Sequence, residues 1–454
     1  MSVLNANIAL LESSTSLLEA RNALDADIQM YESCLSPLRR MPPEILTLIF
    51  TFVSLPRGPT TQPAPWTVSA VCARWREIVI SHPLFWTSID LQSPCRTSLH
   101  VRRLKIQLRR SGDLPLDVAF SPLALFDKNL KAIDVELLQN LCEHSGRWGT
   151  LSLSGPRQLY LELKDLVRYP LALLREVEVR MRYKEDEDED GSLDIFHDAP
   201  LLQKVVANKS HPESRLPLTM MLPYSQLVRY GGSSTWSGHL DLLGNASNLV
   251  DCALEIPRSG MPPTIPIHLP NLRRLSLSRP EFLKGLETPA LLELYSPFAS
   301  SLHRFLRRQS CKLRKLVVWE WSRTADASKL PRIIDAVPTV TELGLLIPLP
   351  IEFVHDFGAN PAIAPLLECI STFSGTGVFT VDDDIFIQAI EERWAGGRLK
   401  STKVYMDNRL EFPPSIRGRI ELLRAQGMEF MASPSLGSLL NDVVPSEFQI
   451  QSLL

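Results

Sequence analysis

A short phrase recurs along most of this chain and dictates what it can fold into. Its fullest form is a proline followed by L-x-x-L-x-L, carried by Pro270, Leu272, Leu275 and Leu277. The same phrase returns at Pro200 with Leu202 and Val205, and at Pro289 with Leu291 and Leu294. It appears again at Pro338 with Val340, Leu343 and Leu345, and at Pro365 with Leu367 and Ile370. Versions without proline open at Trp148, Leu174, Leu249, Leu313 and Leu399, Thr402 filling one apolar slot of the last. Counting a weak copy at Leu227, the first apolar slot recurs mostly every 19 to 28 residues, with a longer final step to Leu399. One such unit cannot hide its own apolar face, so units of this period must stack side by side into a solenoid. The fold class that follows is α/β, with a parallel inner sheet and outer helices and loops. Return helices are predicted at Ala299–Gln309, Lys329–Ala336 and Asp382–Trp394. A closing helix is predicted at Pro413–Met428, with a last strand at Glu429–Met431.

The period matches that of leucine-rich repeats. The asparagine or cysteine usual after the last leucine is absent, since Ser278-Arg279-Pro280 follows Leu277. A degenerate array with irregular loops is therefore expected. Upstream of the repeats, Thr97–Arg110 reads as a helix with a basic, solvated outer face. Leu116, Val118 and Phe120 alternate as a strand does, and Ile133–His144 returns to helical spacing.

Residues 36–92 have a different character. Pro42-Pro43 and Glu44 make a favourable helix start, with proline where an N–H would go unpaired and a carboxylate on the positive end of the dipole. Ile45, Leu46, Ile49, Phe50 and Val53 follow at helical spacing. After a proline-rich loop, Val68, Val71, Cys72, Trp75, Ile78 and Val79 form a second apolar stripe, expected on one helix. Pro83, Leu84, Phe85 and Trp86 close the unit. Two short helices this apolar cannot bury all their surface on each other, and a segment of under about 60 residues is insecure alone.

These residues resemble an F-box: Met41, Pro42, Glu44, Ile45, Leu46, Ile49 and Phe50, then Val68, Val71, Cys72, Trp75 and Ile78, ending in Leu84 and Trp86. Met41 stands where leucine is usual, and the loop at Leu55–Pro65 is longer than in the family. With the repeats, the chain resembles F-box proteins carrying a leucine-rich-repeat region. That resemblance implies a substrate receptor of an SCF-type cullin–RING ubiquitin ligase. It would bind a Skp-family adaptor, and through it cullin, with the repeats holding a protein target. The implied adaptor contacts are Pro42, Glu44, Ile45, Leu46, Ile49, Phe50, Val71, Trp75 and Trp86, some of which must instead form the motif's own core. The alternative is a non-catalytic repeat scaffold whose F-box supports no ubiquitination. The expected divisions are an amphipathic helix at 1–35, the F-box at 36–92, the solenoid at 93–431 and a tail at 432–454. In the first of these Val3, Leu10, Leu17, Leu24 and Tyr31 recur every seven residues, an incomplete coiled-coil seam. Packing of this helix on the F-box or first repeat is expected over self-association.

Composition excludes more than it assigns. A net charge of −3 gives no reason to expect nucleic acid or an anionic membrane as partner. No apolar run is long enough to span a bilayer, and no secretory signal is visible at the N-terminus. The seven cysteines are scattered and include no C-x-x-C pair, which predicts free thiols in a cytoplasmic or nuclear setting. The nine histidines are isolated, and neither a phosphate loop nor a nucleophile elbow is present. No enzymatic activity, cofactor or metal is expected. One near-miss is Asp186, Asp188, Asp190 and Gly191, which follow calcium-loop order but reach His197 where a bidentate glutamate belongs. A solvated acidic loop is the expected reading.

Overall fold

The computed structural model describes residues 16–28, 37–54, 64–92, 96–122, 130–181, 192–209, 219–256, 266–309, 311–320, 327–347, 349–375, 383–407 and 412–433. The chain divides into two compact units: Met1–Ser88 with Arg110–Gly112, and Ile89–Arg109 with Asp113–Leu454.

In the second unit the described residues form a 14-stranded sheet whose strand order is the chain order. The strands are β1 (Ser88–Leu91), β2 (Leu116–Phe120), β3 (Trp148–Gly155), β4 (Glu176–Met181), β5 (Lys204–Lys209), β6 (Arg229–Ser233) and β7 (Asp251–Glu255). They continue as β8 (Arg274–Leu277), β9 (Glu293–Pro297), β10 (Lys315–Trp319), β11 (Glu342–Leu346), β12 (Cys369–Gly375), β13 (Ser401–Asp407) and β14 (Glu429–Ser433). From β2 onward every neighbouring pair is parallel.

The repeat phrase explains this regularity. From Leu174 to Leu399 each strand begins two residues after a first apolar slot. In most repeats the slot residue closes a tight turn, its N–H donating to the carbonyl three residues back. Leu202 bonds to Ala199 at 3.2 Å, Leu291 to Thr288 at 3.2 Å and Val340 to Val337 at 3.1 Å. In these copies the conserved-looking proline of the phrase is the second residue of the turn, where its fixed φ is already correct. The next two N–H groups share one carbonyl of the preceding repeat, as Arg314 and Lys315 share that of Leu292. The turn thus sets the register before the strand starts. Slot and strand leucines fill one continuous core with the helices on that side. The return helices run over Ser300–Arg308, Leu330–Asp335 and Asp383–Ala395. Each leucine buried this way is worth about 1.5–3 kcal/mol.

The described register shifts only between Leu116 and Asp117. Several expectations change. Ile89 and Leu91 join the solenoid core rather than the N-terminal unit, so the division falls at Ser88, before the expected residue 92. The closing helix ends at Ala425 rather than Met428, because Gly427 takes φ 95° and stops it. The last strand then runs on to Ser433.

The first unit holds a helix at Pro43–Ser54, which begins where the double proline placed it. The expected second helix is two helices, Ala64–Val71 and Ala73–Ser81, because Cys72 adopts an extended φ of −156° and interrupts them. A 3-10 turn at Pro83–Trp86 follows. Leu46, Phe50, Val68, Ile78, Val79, Phe85 and Trp86 pack into a small separate core. The Phe50 and Trp75 rings lie 4.8 Å apart, and Trp86 meets Trp66 edge-on at 5.1 Å. The buried Trp86 indole N–H donates to the Val79 carbonyl at 2.8 Å, and the Arg110 guanidinium covers that ring at 4.5 Å. Residues 16–28 are helical and exposed, and among the described residues the expected packing of this helix is not seen. The rest of the heptad seam and the acidic run at 186–191 lie outside the described residues.

Candidate protein-docking surfaces

The helix Pro43–Ser54 is apolar on two sides. One side carries Leu46 and Phe50 into the unit's core. The other presents Ile45 at 45 %, Leu48 at 55 %, Ile49 at 39 % and Phe52 at 57 % exposure, four side chains on neighbouring turns. Val71 and Leu84 are exposed as well, and so are Pro42 and Glu44. The nine residues named from sequence therefore fall into two groups. Pro42, Glu44, Ile45, Ile49 and Val71 offer surface. Leu46, Phe50 and Trp86 are spent inside, and Trp75 packs half-buried on Phe50. Leu48 and Phe52 were missed, although their i+3 and i+7 spacing from Ile45 was the available signal.

The break at Cys72 has a consequence here. It lets Val71 turn outward while Val68, Ile78 and Val79 remain in the core. The N-terminal turn is fastened by Arg74, which donates to the carbonyls of Arg39 and Met41. Together Ile45, Leu48, Ile49 and Phe52 make an exposed apolar cluster on a small helical unit.

The second surface is the sheet face that the helices leave uncovered. Along each strand, alternate residues point away from the core, and the parallel register lines them up in rows. The first row is charged and alternates in sign except where Lys204 lies beside Arg229. Lys204 lies 3.3 Å from Glu176, Asp251 is clasped by Arg229 at 2.9 Å and by Arg274, and Lys315 lies 3.2 Å from Glu342. Hydrogen bonding to Asp251 raises the Arg274 guanidinium above its usual range. The second row is small or apolar, with Gly231, Ala253, Ser276, Tyr295, Val317, Gly344 and Ser371 in register. The Tyr295 hydroxyl donates to Glu293 at 2.7 Å, and burial together with that carboxylate pushes its pKa upward. A third row includes Trp319 and Leu346, which are paired in register.

Other features carry structure rather than chemistry. Arg96 is buried at the start of the solenoid, where it donates to Asp134 and to the carbonyls of Leu91 and Ser121. A cavity of about 790 Å³ opens between two outer helices beside Ala362, Leu367, Glu392 and Arg393. Its Arg393 guanidinium is already engaged, 4.3 Å over the Phe357 ring and bonded to the Ile363 carbonyl. Among the described residues no group of three or more His, Cys, Asp or Glu side chains could hold a metal ion. Asp194, just beyond the acidic run in sequence, is paired with Lys164 at 3.1 Å. Among the described residues no helix is long and apolar enough to cross a membrane.

No protein-family model matches the chain, and no curated protein matches it. Among solved structures it is similar to the crystal structure of the Rad7 and Elc1 complex in yeast. That likeness has 12 % identity and a TM-score of 0.29, and covers 90 % of this chain and 97 % of that one. It is also similar to the TLR13–ssRNA13 complex, at 12 % identity and a TM-score of 0.38, over 72 % of this chain and 49 % of that one.

Proposed function

We propose that the chain is a substrate receptor of a cullin–RING ubiquitin ligase. Its N-terminal unit docks on a Skp-family adaptor, and its solenoid holds a protein target. The observation that carries this reading is the row Ile45, Leu48, Ile49 and Phe52, an apolar helix side left open where the motif resembles an F-box. The receptor does no bond chemistry. It raises the local concentration of a target lysine beside the ubiquitin-charged enzyme, which is a matter of geometry and tethering.

The test is co-expression with a Skp-family adaptor, followed by size-exclusion chromatography of wild type and the Ile49→Asp/Phe52→Asp double variant. Both substitutions sit on exposed positions, so the variant should keep the wild-type circular dichroism spectrum and melting temperature. The expected result is a one-to-one complex for wild type that the variant loses, since each desolvated anchor is worth about 2–4 kcal/mol. Cullin should co-purify with the wild-type complex. A soluble wild type that elutes alone would sink the proposal.

A further inference from the structure

Charge is not spread evenly along the solenoid. Between Glu293 and Glu320 the chain has no carboxylate side chain and six lysines or arginines, in a protein whose net charge is −3. This stretch contains the return helix Ser300–Arg308, whose inner side buries Leu302, Phe305 and Leu306. Its outer side presents Arg304, Arg307 and Arg308, all exposed and about one turn apart. Arg308 reaches back to donate to the carbonyls of Leu283, Lys284 and Leu286 at 3.1, 3.0 and 2.9 Å. Those bonds bring the exposed Lys284 into the same group. Lys312, just past the helix, and Arg332, on the next return helix, are exposed as well.

The fold does not account for these cations. Elsewhere in the solenoid basic side chains find acids, as Lys164 does with Asp194, Lys400 with Glu368 and Arg419 with Glu391. Among the described residues Lys284, Arg304, Arg307, Lys312 and Arg332 form no ion pair. Of the neighbouring acids, Glu281 is held by Arg279, and Glu287 lies 3.6 Å from His268. Like charges three and four residues apart oppose a helix rather than support it. Cations in the last turn do answer the helix dipole. That covers only Arg307 and Arg308, and Arg308 is already spent on carbonyls.

We infer that this basic strip, on the helical side of the solenoid, is a docking surface for an acidic segment of a partner protein. Charge complementarity selects the occupant. Guanidinium forks one helical turn apart match carboxylate or phosphorylated side chains, which accept two hydrogen bonds each. No large apolar side chain is exposed among the described residues of 280–335. The bases of a single-stranded nucleic acid would therefore find nothing to stack on. Attachment is electrostatic, and it weakens as salt screens it. The inference goes beyond the receptor reading and stands without it, since no adaptor takes part in its test.

The experiment is fluorescence anisotropy of a labelled oligoglutamate peptide titrated with the full-length chain at low and at physiological salt. Wild type should bind, with an affinity that falls severalfold as salt rises. The Lys284→Glu/Arg304→Glu/Arg307→Glu variant should lose at least about tenfold in affinity. Reversal on the other exposed basic helix, Arg102→Glu/Arg109→Glu, should change it by less than about twofold. A wild type that does not bind at low salt would overturn the inference. Equal losses in the two variants would do the same, because the effect would then be one of net charge. So would a labelled DNA duplex that binds more tightly than the peptide, since the strip would then serve nucleic acid. Should the triple variant melt below wild type, Arg304→Gln/Arg307→Gln decides: a loss of about threefold is expected, and none rejects the inference.

Discussion

Leu46 and Ile49 lie on one helix, three residues apart, and meet opposite fates. Leu46 is in the small core with Phe50 and Trp86, and Ile49 faces out. Both are aliphatic and both fit the motif, so the letters of the sequence could not separate them. What separates them is the angular position of two stripes, which depends on where neighbouring helices pack. Leu46→Ala should therefore lower the stability of the N-terminal unit by about 2–5 kcal/mol, the usual cost of truncating a core leucine. Thermal or urea unfolding checks this, and Ile49→Ala should leave the midpoint nearly unchanged.

The cysteines make a similar point about environment. Cys72 is exposed at the break between two helices, whereas Cys142 and Cys252 are buried. Burial pushes the Cys142 thiol up to about 12, and burial next to Asp251 pushes Cys252 upward as well. A thiol reagent at neutral pH should label Cys72 quickly and leave Cys142 and Cys252 unreacted until the solenoid unfolds. Mass spectrometry of the labelled peptides reads the difference.

At the level of elements, legibility followed the local chemistry. Strand starts could be read from the slot leucines because the turn before each strand is specified within four residues, often by proline. The three return helices were legible from their periodicity, to within two residues. The second helix of the N-terminal unit was not, because an unbroken apolar stripe gives no sign of an extended residue at Cys72. Helix contacts were hidden for the same reason. The helices Ile351–Ala359 and Asp383–Ala395 meet where a Cβ on Gly358 would come within 2.8 Å of the Ala389 Cα. In an isolated helix Gly→Ala gains about 1 kcal/mol. Here the backbone contact reverses the sign, and Gly358→Ala should cost about 1–3 kcal/mol as overpacking does. A rise in melting temperature for this variant would show that the two helices can move apart freely.

For the whole molecule, the repeat period gave the architecture and the open sheet face, because stacking is the only way units of this kind bury their leucines. What that face meets was not legible, since alternation tells which residues leave the core and not what they touch. The boundary was displaced for a related reason. Ile89 and Leu91 read as the end of one motif, and only the sheet reveals them as the first strand of another. The charged row along β4–β11 adds specificity of register more than stability, since most of its pairs keep solvent contact and each such pair is worth about 0–1 kcal/mol.

Strand order that equals chain order has one more consequence. Each strand, from β2 to β13, has as sheet partners only the strands before and after it, so a whole repeat can be duplicated or deleted in a gene without rethreading the rest. The slot residue, the turn and the strand travel together as one cassette of about 25 residues. The length of the open sheet face can therefore drift over generations while the N-terminal unit stays fixed. A chain built on this plan can lengthen or shorten its sheet far more easily than it can reorder it.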